Sequence, residues 1–203
     1  MQKMDIIFAT NNEHKLKEIR HVLGDSFRLL SLKDISFEED IPEDEPTLEG
    51  NALFKARYVH KRTGMDVFAD DTGLEIDALG GRPGVHSARF AGEKKDSDAN
   101  IEKVLNLIKD THNRRARFKT VIALIFNSNE YVFDGTVAGT IITEKRGESG
   151  FGYDPVFVPE GNDLTFAEMS LDKKNTISHR ARAFGKLKEF LNGNHTPDNK
   201  ATF

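Results

Sequence analysis

Two adjacent acidic residues, Asp70 and Asp71, directly follow a short apolar run at 67–69. Neighbouring side chains of a strand point to opposite faces, so only one of the two carboxylates can face the interior of a sheet unless the strand has already turned. Adjacent acids usually lie on the surface, but these stand at a predicted strand end, where open α/β sheets bind ligands. With Glu43 from an acidic loop at 38–49, the pair could hold Mg²⁺ together with water and substrate phosphates.

A set of hydroxyl, amide and ammonium groups follows the first apolar run of the chain. Residues 10–15 read Thr-Asn-Asn-Glu-His-Lys, after a strand that we predict at 4–10 and before a helix that carries Leu16, Ile19 and Leu23. The backbone N–H groups and the positive dipole end of a helix at such a junction favour a phosphate. A helix cap beside a solvated lysine explains the same residues equally well. The glycine patterns of P-loop and Rossmann nucleotide sites are absent from the sequence.

Two later segments have the residue types that recognise a nucleobase. Residues 150–155 read Gly-Phe-Gly-Tyr-Asp-Pro, in which the glycines permit close backbone approach and an aromatic ring can stack on a base. A β-turn with buried aromatic rings is the alternative. Residues 178–180 read Ser-His-Arg and follow Lys173 and Lys174. This cluster of hydrogen-bond donors favours a ligand that is rich in acceptors.

Helical and strand periodicities place these groups in an α/β chain with a mixed sheet. After the first helix we predict a helix that Thr47 begins and Gly64 ends, a turn-rich loop at 79–92, a helix from 96–98 to Ile108, and a last helix from Asn175 or Thr176 to Gly193. Strands at 117–126, 130–137 and 138–143, joined by polar turns, favour antiparallel pairing. Lys55 is a lone lysine on the second helix, and such residues usually lie on the surface.

Length and composition limit the function classes. The sequence has 203 residues, of which 37% are apolar and 31% charged, as in soluble globular proteins; we predict one domain at 1–194 and a frayed tail at 195–203. The longest apolar run, 121–126, is far shorter than the ~18 residues of a membrane helix, and no export signal is visible. The absence of cysteine excludes disulfides and thiolate chemistry. The 33 acids against 29 lysines and arginines argue against a nucleic-acid partner.

Read in order, five segments of the chain resemble one family. They are residues 10–15, 68–76 (Phe-Ala-Asp-Asp-Thr-Gly-Leu-Glu-Ile), 80–85 (Gly-Gly-Arg-Pro-Gly-Val), 151–155 and 178–180. Over about residues 5–192 the chain resembles the inosine/xanthosine triphosphate pyrophosphatases. The resemblance implies an α/β fold with a long, curved mixed β-sheet flanked by helices, in two lobes with a central cleft. It also implies hydrolysis of non-standard purine nucleoside triphosphates (ITP, dITP, XTP) to the monophosphate and pyrophosphate by a Mg²⁺-dependent homodimer, which we expect in the cytoplasm.

The same resemblance implies roles for individual residues. Asp71 is the expected proton acceptor, and Glu43, Asp70 and Asp71 are the expected metal ligands. The implied substrate-binding residues are Thr10, Asn11, Asn12, Glu13, His14, Lys15 and Lys55 for the phosphates, Phe151, Gly152, Tyr153, Asp154, Lys174, Ser178, His179 and Arg180 for the base, and Thr72, where the family often has serine. In the mechanism that this implies, a water activated by Asp71 attacks the α-phosphorus while Mg²⁺ and the lysines neutralise the departing pyrophosphate.

The sequence leaves several alternatives open. Gly50 stands where many relatives carry a glutamate, which leaves a role for Glu49 open, and a one-residue shift of the acidic loop would exchange Glu43 with Asp44 or Glu45. Three other functions are a nucleotide-binding regulatory protein without turnover, a pyrophosphatase acting on another base class, and a nucleic-acid-binding protein, which the acidic balance weakens. A pyrophosphate-release assay across nucleotides separates them.

Overall fold

The computed structural model describes residues 4–23 and 27–193. Their helices and strands follow in the order β1 (Met4–Phe8), α1 (Glu13–Leu23), β2 (Phe27–Ser31), α2 (Leu48–Thr63), β3 (Val67–Ile76), β4 (Pro83–Gly84), α3 (Ser97–Leu107), β5 (Arg115–Phe126), β6 (Asn129–Ile141), β7 (Phe157–Pro159), α4 (Leu171–Ile177) and α5 (His179–Leu191). None of the helices described is both long and apolar enough to span a membrane. The predicted tail at 195–203 lies outside the described residues.

One mixed sheet connects the strands, in the order β2-β1-β3-β5-β6-β7, with β4 paired to β3. β1 lies parallel to both β2 and β3, whereas β3 with β4 and β6 with β7 are antiparallel pairs. Asn127 and Ser128 join β5 to β6 with φ angles of 48° and 61°, the left-handed conformation of a tight two-residue hairpin. The α/β class and the mixed sheet are therefore confirmed.

The chain divides into two compact units, each with its own core. The first takes its described residues from Met1–Asp71, Thr120–Gly135 and Arg180–Phe203, and the second from Thr72–Lys119 and Thr136–His179. In the first unit, the rings of Phe8 and Phe68 stack at 4.6 Å and Phe184 of α5 packs edge-on against both. This cluster holds α1 and α5 on the face of the sheet that carries Phe8 and Phe68.

The core of the second unit packs α3 against the start of β5 and the end of β6. Ile101 and Val104 of α3 belong to one buried cluster with Phe118 of β5. The ring of Phe118 lies 4.7 Å from that of Phe157 and 6.1 Å from that of Phe166. Because burial of each large aromatic ring removes some 150–250 Å² from water, these rings dominate the core of this unit.

Four predicted elements are corrected by the structure, and β2, β4 and β7 lie where no strand was predicted. β3 runs ten residues to Ile76, so that Asp70 and Asp71 lie inside the strand because β4 pairs with its second half. The strands predicted at 130–137 and 138–143 form a single strand, β6. The last helix is two helices, since the backbone at Ser178 is extended (φ −68°, ψ 156°) between α4 and α5.

Candidate active site

Asp70 is fully buried in β3 and faces α1 and α5. Its Oδ1 accepts a hydrogen bond of 2.7 Å from Lys15 Nζ, and Arg180 Nε lies 3.7 Å from its Oδ2. Burial alone would raise the pKa of Asp70, but the charges of Lys15, Arg180 and Lys55 outweigh burial and hold the pKa below its ordinary value. Asp70 is therefore a buried carboxylate that stays ionised.

Asp71 faces the opposite side of β3, as strand alternation predicts. Its Oδ2 accepts a 3.0 Å hydrogen bond from Asn51 Nδ2, and its Oδ1 lies 3.9 Å from Lys55 Nζ. Burial raises the pKa of Asp71 above its ordinary value, although Lys55 and Lys15 lower it. Of these two neighbouring carboxyl groups, Asp71 therefore holds a proton more readily than Asp70.

The helix α2 brings two polar residues to Asp71. Thr47 caps this helix and Gly64 ends it, as predicted. Asn51 and Lys55 are one turn apart and therefore share the buried face of α2, where Lys55 is only 6% exposed. The surface position expected for Lys55 is wrong: burial would lower its pKa, but Asp71, Glu43 and Asp70 outweigh burial and raise it.

The acidic loop is anchored on the same helix. Glu43 Oε1 accepts a 2.7 Å hydrogen bond from Lys55 Nζ, so the loop places Glu43 at this lysine, while Asp44 and Glu45 are exposed. Glu39 accepts hydrogen bonds from Tyr58 Oη at 2.8 Å and from Arg62 Nε at 2.7 Å. The loop is thus fixed to α2 through two of its acids, Glu39 and Glu43.

Gly50 lies where the loop packs on the first turn of α2. A Cβ atom at this position would stand 2.9 Å from Glu45 Cβ and 3.1 Å from Thr47 Oγ1. A side chain here would therefore push the loop outward. The neighbouring Glu49 is exposed in the first turn.

The residues at 10–15 form the junction between β1 and α1. Thr10 Oγ1 accepts from the N–H of Asn12, and Asn12 Oδ1 accepts from the N–H of Lys15, each at 3.2 Å. Asn11, Glu13 and His14 are exposed. An open cavity of about 360 Å³ is lined by Thr10, Asn11 and Glu13 together with Ser31, Lys33, Ser36, Phe37 and others. The residues after β2 were not predicted to belong to this region, because they carry no recognisable motif.

In the second unit, Asp154 organises the predicted base-binding segment. Its Oδ2 accepts from the N–H of Phe151 at 2.9 Å and from Lys174 Nζ at 2.7 Å, in a pair whose side chains are 4% and 5% exposed. The Lys174 ammonium lies 5.2 Å from the ring centroid of Phe151 and 5.7 Å from that of Phe166. Gly150 has a φ of +80°, and a Cβ there would come within 2.2 Å of Asp154 Oδ2. The turn therefore requires glycine.

Three further predicted residues of this unit are buried. The ring of His179 stacks on that of Phe118, with centroids 4.6 Å apart and an angle of 16°. Tyr153 Oη donates a 2.9 Å hydrogen bond to the carbonyl of Ser87, and burial raises the pKa of Tyr153. Ser178 lies between α4 and α5 and is 2% exposed. Tyr153 thus has a partner in the main chain of its own unit.

Arg180, Thr72 and Gly152 complete the predicted set. Arg180 belongs to the first unit, where its guanidinium pairs with Glu18 of α1 and lies near Asp70. Glu18 was not predicted, since it reads as one more polar residue of an amphipathic helix. Thr72 follows Asp71 in β3 and is half-buried, as is Gly152, whose φ is +61°.

The acids of the first unit offer carboxylate oxygens to a divalent cation. Within residues 4–23 and 27–193, no three His, Asp or Glu side chains lie close enough together to form a metal site by themselves. The ammonium of Lys55 nevertheless lies within 4 Å of both Glu43 and Asp71, so two carboxylates already share one cationic group. Carboxylate oxygens are the ligands that Mg²⁺ prefers, and Glu43 and Asp71 fit such an ion as two of its ligands.

Comparison with known proteins agrees with the motif-based resemblance. A sequence profile of the Ham1 family matches residues 6–190. A curated dITP/XTP pyrophosphatase of Porphyromonas gingivalis is 56% identical over 187 residues, which cover 92% of this chain and 96% of the relative. The relative of the same name from Bacillus subtilis is 48% identical, with 92% and 96% covered. The solved structure of the Staphylococcus aureus Ham1 protein superposes with a TM-score of 0.86 at 41% identity, covering 94% of this chain and 100% of that one. The chain therefore belongs to the Ham1 family.

Proposed function

We propose that the protein hydrolyses non-standard purine nucleoside triphosphates, ITP, dITP and XTP, to the nucleoside monophosphate and pyrophosphate. The observation that carries this proposal is the pair Asp70 and Asp71, which face opposite sides of β3, Asp70 bonded to Lys15 and Asp71 held between Asn51 and Lys55. The names of the curated dITP/XTP pyrophosphatases support the same substrate class.

In the proposed reaction, Asp71 accepts a proton from the attacking water. The water oxygen bonds to the α-phosphorus, the bond from this phosphorus to the α–β bridging oxygen breaks, and pyrophosphate leaves with that oxygen. Asp71 is suited to this step because its pKa is raised, while Asn51 and Lys55 hold its two oxygens from one side. Lys15 and Lys55 supply positive charge for the phosphate oxygens.

We propose that Glu43, Asp70 and Asp71 hold Mg²⁺. The ion supplies positive charge that stabilises the phosphate oxygens when it is bound. The donor-rich side chains at 10–15 bind the triphosphate, in agreement with their position at the start of α1. A homodimeric state and a cytoplasmic location belong to the same proposal.

We propose that the base is recognised by the second unit. Lys174 and His179 are buried hydrogen-bond donors beside aromatic rings. Hypoxanthine and xanthine carry an acceptor carbonyl at position 6, whereas adenine carries an amino group there. An adenine would leave a buried donor unpaired, at about 1–3 kcal/mol for each lost partner. The family resemblance also assigns Arg180 to the base. This residue belongs to the first unit, where it pairs with Glu18, and its role toward the base stays a prediction.

The experiment is a product analysis across ITP, dITP, XTP, GTP and ATP with Mg²⁺. We expect monophosphate and pyrophosphate from the first three, with ATP the poorest substrate. Nucleoside diphosphate and orthophosphate as first products would place the cut at the wrong bond. Tight nucleotide binding without products would instead indicate a regulatory protein, and a preference for pyrimidine nucleotides another base class.

A further inference from the structure

We propose that Asn51 is a positioning residue for the reaction, which orients the Asp71 carboxylate and ties it to the acidic loop. The proposal rests on the function proposed above, because it acts through Asp71. Asn51 is 1% exposed, and both ends of its amide are used. Nδ2 donates to Asp71 Oδ2, and Oδ1 accepts from the backbone N–H of Glu45, each at 3.0 Å.

The orientation of this amide is fixed by its partners. A backbone N–H can only donate, so the atom facing Glu45 must be the amide oxygen. The NH₂ group is therefore turned toward Asp71, which as a carboxylate can only accept. Buried amides with one defined orientation hold their partners in one geometry, since rotation would set donor against donor and acceptor against acceptor.

Asn51 acts together with Lys55, one helical turn further along α2. Both residues contact Asp71, and both contact the acidic loop: Asn51 at the N–H of Glu45 and Lys55 at the carboxylate of Glu43. Asp71 Oδ2 is occupied by the amide and Oδ1 faces the ammonium. The rotation of the carboxylate about its last bond is thereby fixed. One face of α2 therefore aligns the proposed proton acceptor with the loop that carries Glu43.

The second unit offers a matched control in Asn100. This residue is 4% exposed and follows the cap Asp96 of α3 by four residues, as Asn51 follows Thr47. Its Oδ1 accepts from the N–H of Ala91 at 2.6 Å and its Nδ2 donates to the carbonyl of Ala88 at 2.9 Å. Asn100 thus ties a helix to a loop in the same way, but within the described part of the chain its amide bonds to backbone groups and to no carboxylate.

The test compares Asn51→Asp with Asn100→Asp in the full chain. Aspartate keeps the oxygen that accepts from the loop and loses the donor in both variants. We expect both to lower Tm, but only Asn51→Asp to lower kcat for ITP, by about 10–100-fold as for other residues that orient a reacting group, with KM little changed. Asn51→Ala, which brings no second carboxylate to Asp71, should lower kcat in the same way. A kcat for both Asn51 variants equal to that of Asn100→Asp would overturn the proposal.

A double variant separates this proposal from the proposed function. If Asn51 acts through Asp71, adding Asn51→Asp to Asp71→Asn should reduce the residual kcat no further. A multiplicative further loss would show that Asn51 acts elsewhere and would overturn the inference alone. Full activity of Asp71→Asn would instead refute the proposed role of Asp71, and with it the basis of both proposals.

Discussion

The two units bury charge in different ways. In the first, Lys15, Lys55 and Arg180 share Asp70 and Asp71 with other acids, so each carboxylate has more than one cation near it. In the second, Lys174 pairs with Asp154, and its ammonium lies beside the rings of Phe151 and Phe166. A network of several charges can re-pair when a phosphate or a cation enters, because no charge loses its only partner. A buried ion pair whose carboxylate also accepts from the backbone of a turn favours a fixed shape instead.

The largest expected effect separates the two acids of the first unit. Asp71→Asn should lower kcat by about 10²–10⁴-fold, the usual loss for a general base, whereas Asp70→Asn should raise the Mg²⁺ concentration needed for half-maximal rate. Steady-state kinetics at varied Mg²⁺ measure both. An Asp71→Asn variant with near-parental kcat at saturating Mg²⁺ would mean that another group activates the water.

The same two variants should move stability in opposite directions at neutral pH. The pKa of Asp70 is lowered in the fold, so its charge stabilises the protein above the unfolded pKa, and that stability is lost as the pH falls through the folded pKa. The pKa of Asp71 is raised, so its charge costs stability at pH 7. Asp70→Asn should therefore lower Tm and Asp71→Asn should not, as measured by thermal unfolding. Equal losses would contradict the difference in their surroundings.

In the second unit, Lys174→Met should destabilise the protein by about 3–5 kcal/mol, because it leaves Asp154 buried without its ammonium partner. Activity on ITP should fall with it. Lys174→Met combined with Asp154→Leu should regain part of the Tm but none of the activity on ITP. Recovery of activity in the double variant would show that the pair serves the fold and not the base.

The smallest effect is expected at the turn before Asp154. Gly150→Ala places a Cβ within 2.2 Å of the Asp154 carboxylate at a φ of +80°, so we expect a loss of about 1–3 kcal/mol and weaker binding of ITP. Gly161→Ala, outside the predicted base-binding set, is the control, since its φ is +76° and no atom of the non-neighbouring described residues lies within 4 Å of the added Cβ. Only the shared backbone strain should remain there. Equal losses of ITP affinity in both would argue against contact with Asp154 as the cause.

Local patterns were enough to predict the elements whose ends are chemically marked. Thr47 and Gly64 mark α2, and the polar turn at 127–129 marks the hairpin of β5 and β6. β2 was missed because its five residues, which pair with β1, show no clear alternation. The break at Ser178 was missed because apolar spacing continues across it.

Site residues were predicted where residues with reactive groups are adjacent in sequence. They were missed where only a contact between distant segments brings them to the site. Asn51 stands 20 residues before Asp71, and nothing local marks their hydrogen bond. The burial of Lys55 likewise depends on three acids from two other segments, Glu43 of the loop and Asp70 and Asp71 of β3, that compensate its desolvation. The one available signal was spacing: Asn51 stands four residues after the helix cap Thr47, and Lys55 stands four residues after Asn51.

The contacts that fix the acidic loop to α2 also determine whether the loop loses its conformational entropy during folding or during nucleotide binding. Three residues of the loop are anchored there, Glu39 on Tyr58 and Arg62, Glu43 on Lys55, and Glu45 on Asn51, and Phe37 just before the loop packs against Tyr58. Ordering a backbone opposes folding by about 1–2 kcal/mol of conformational entropy per residue. Because these anchors form within the protein itself, that entropy is lost during folding and does not weaken nucleotide binding. Removing an anchor such as Glu39 would transfer the loss to the binding step and appear as lower affinity for the nucleotide.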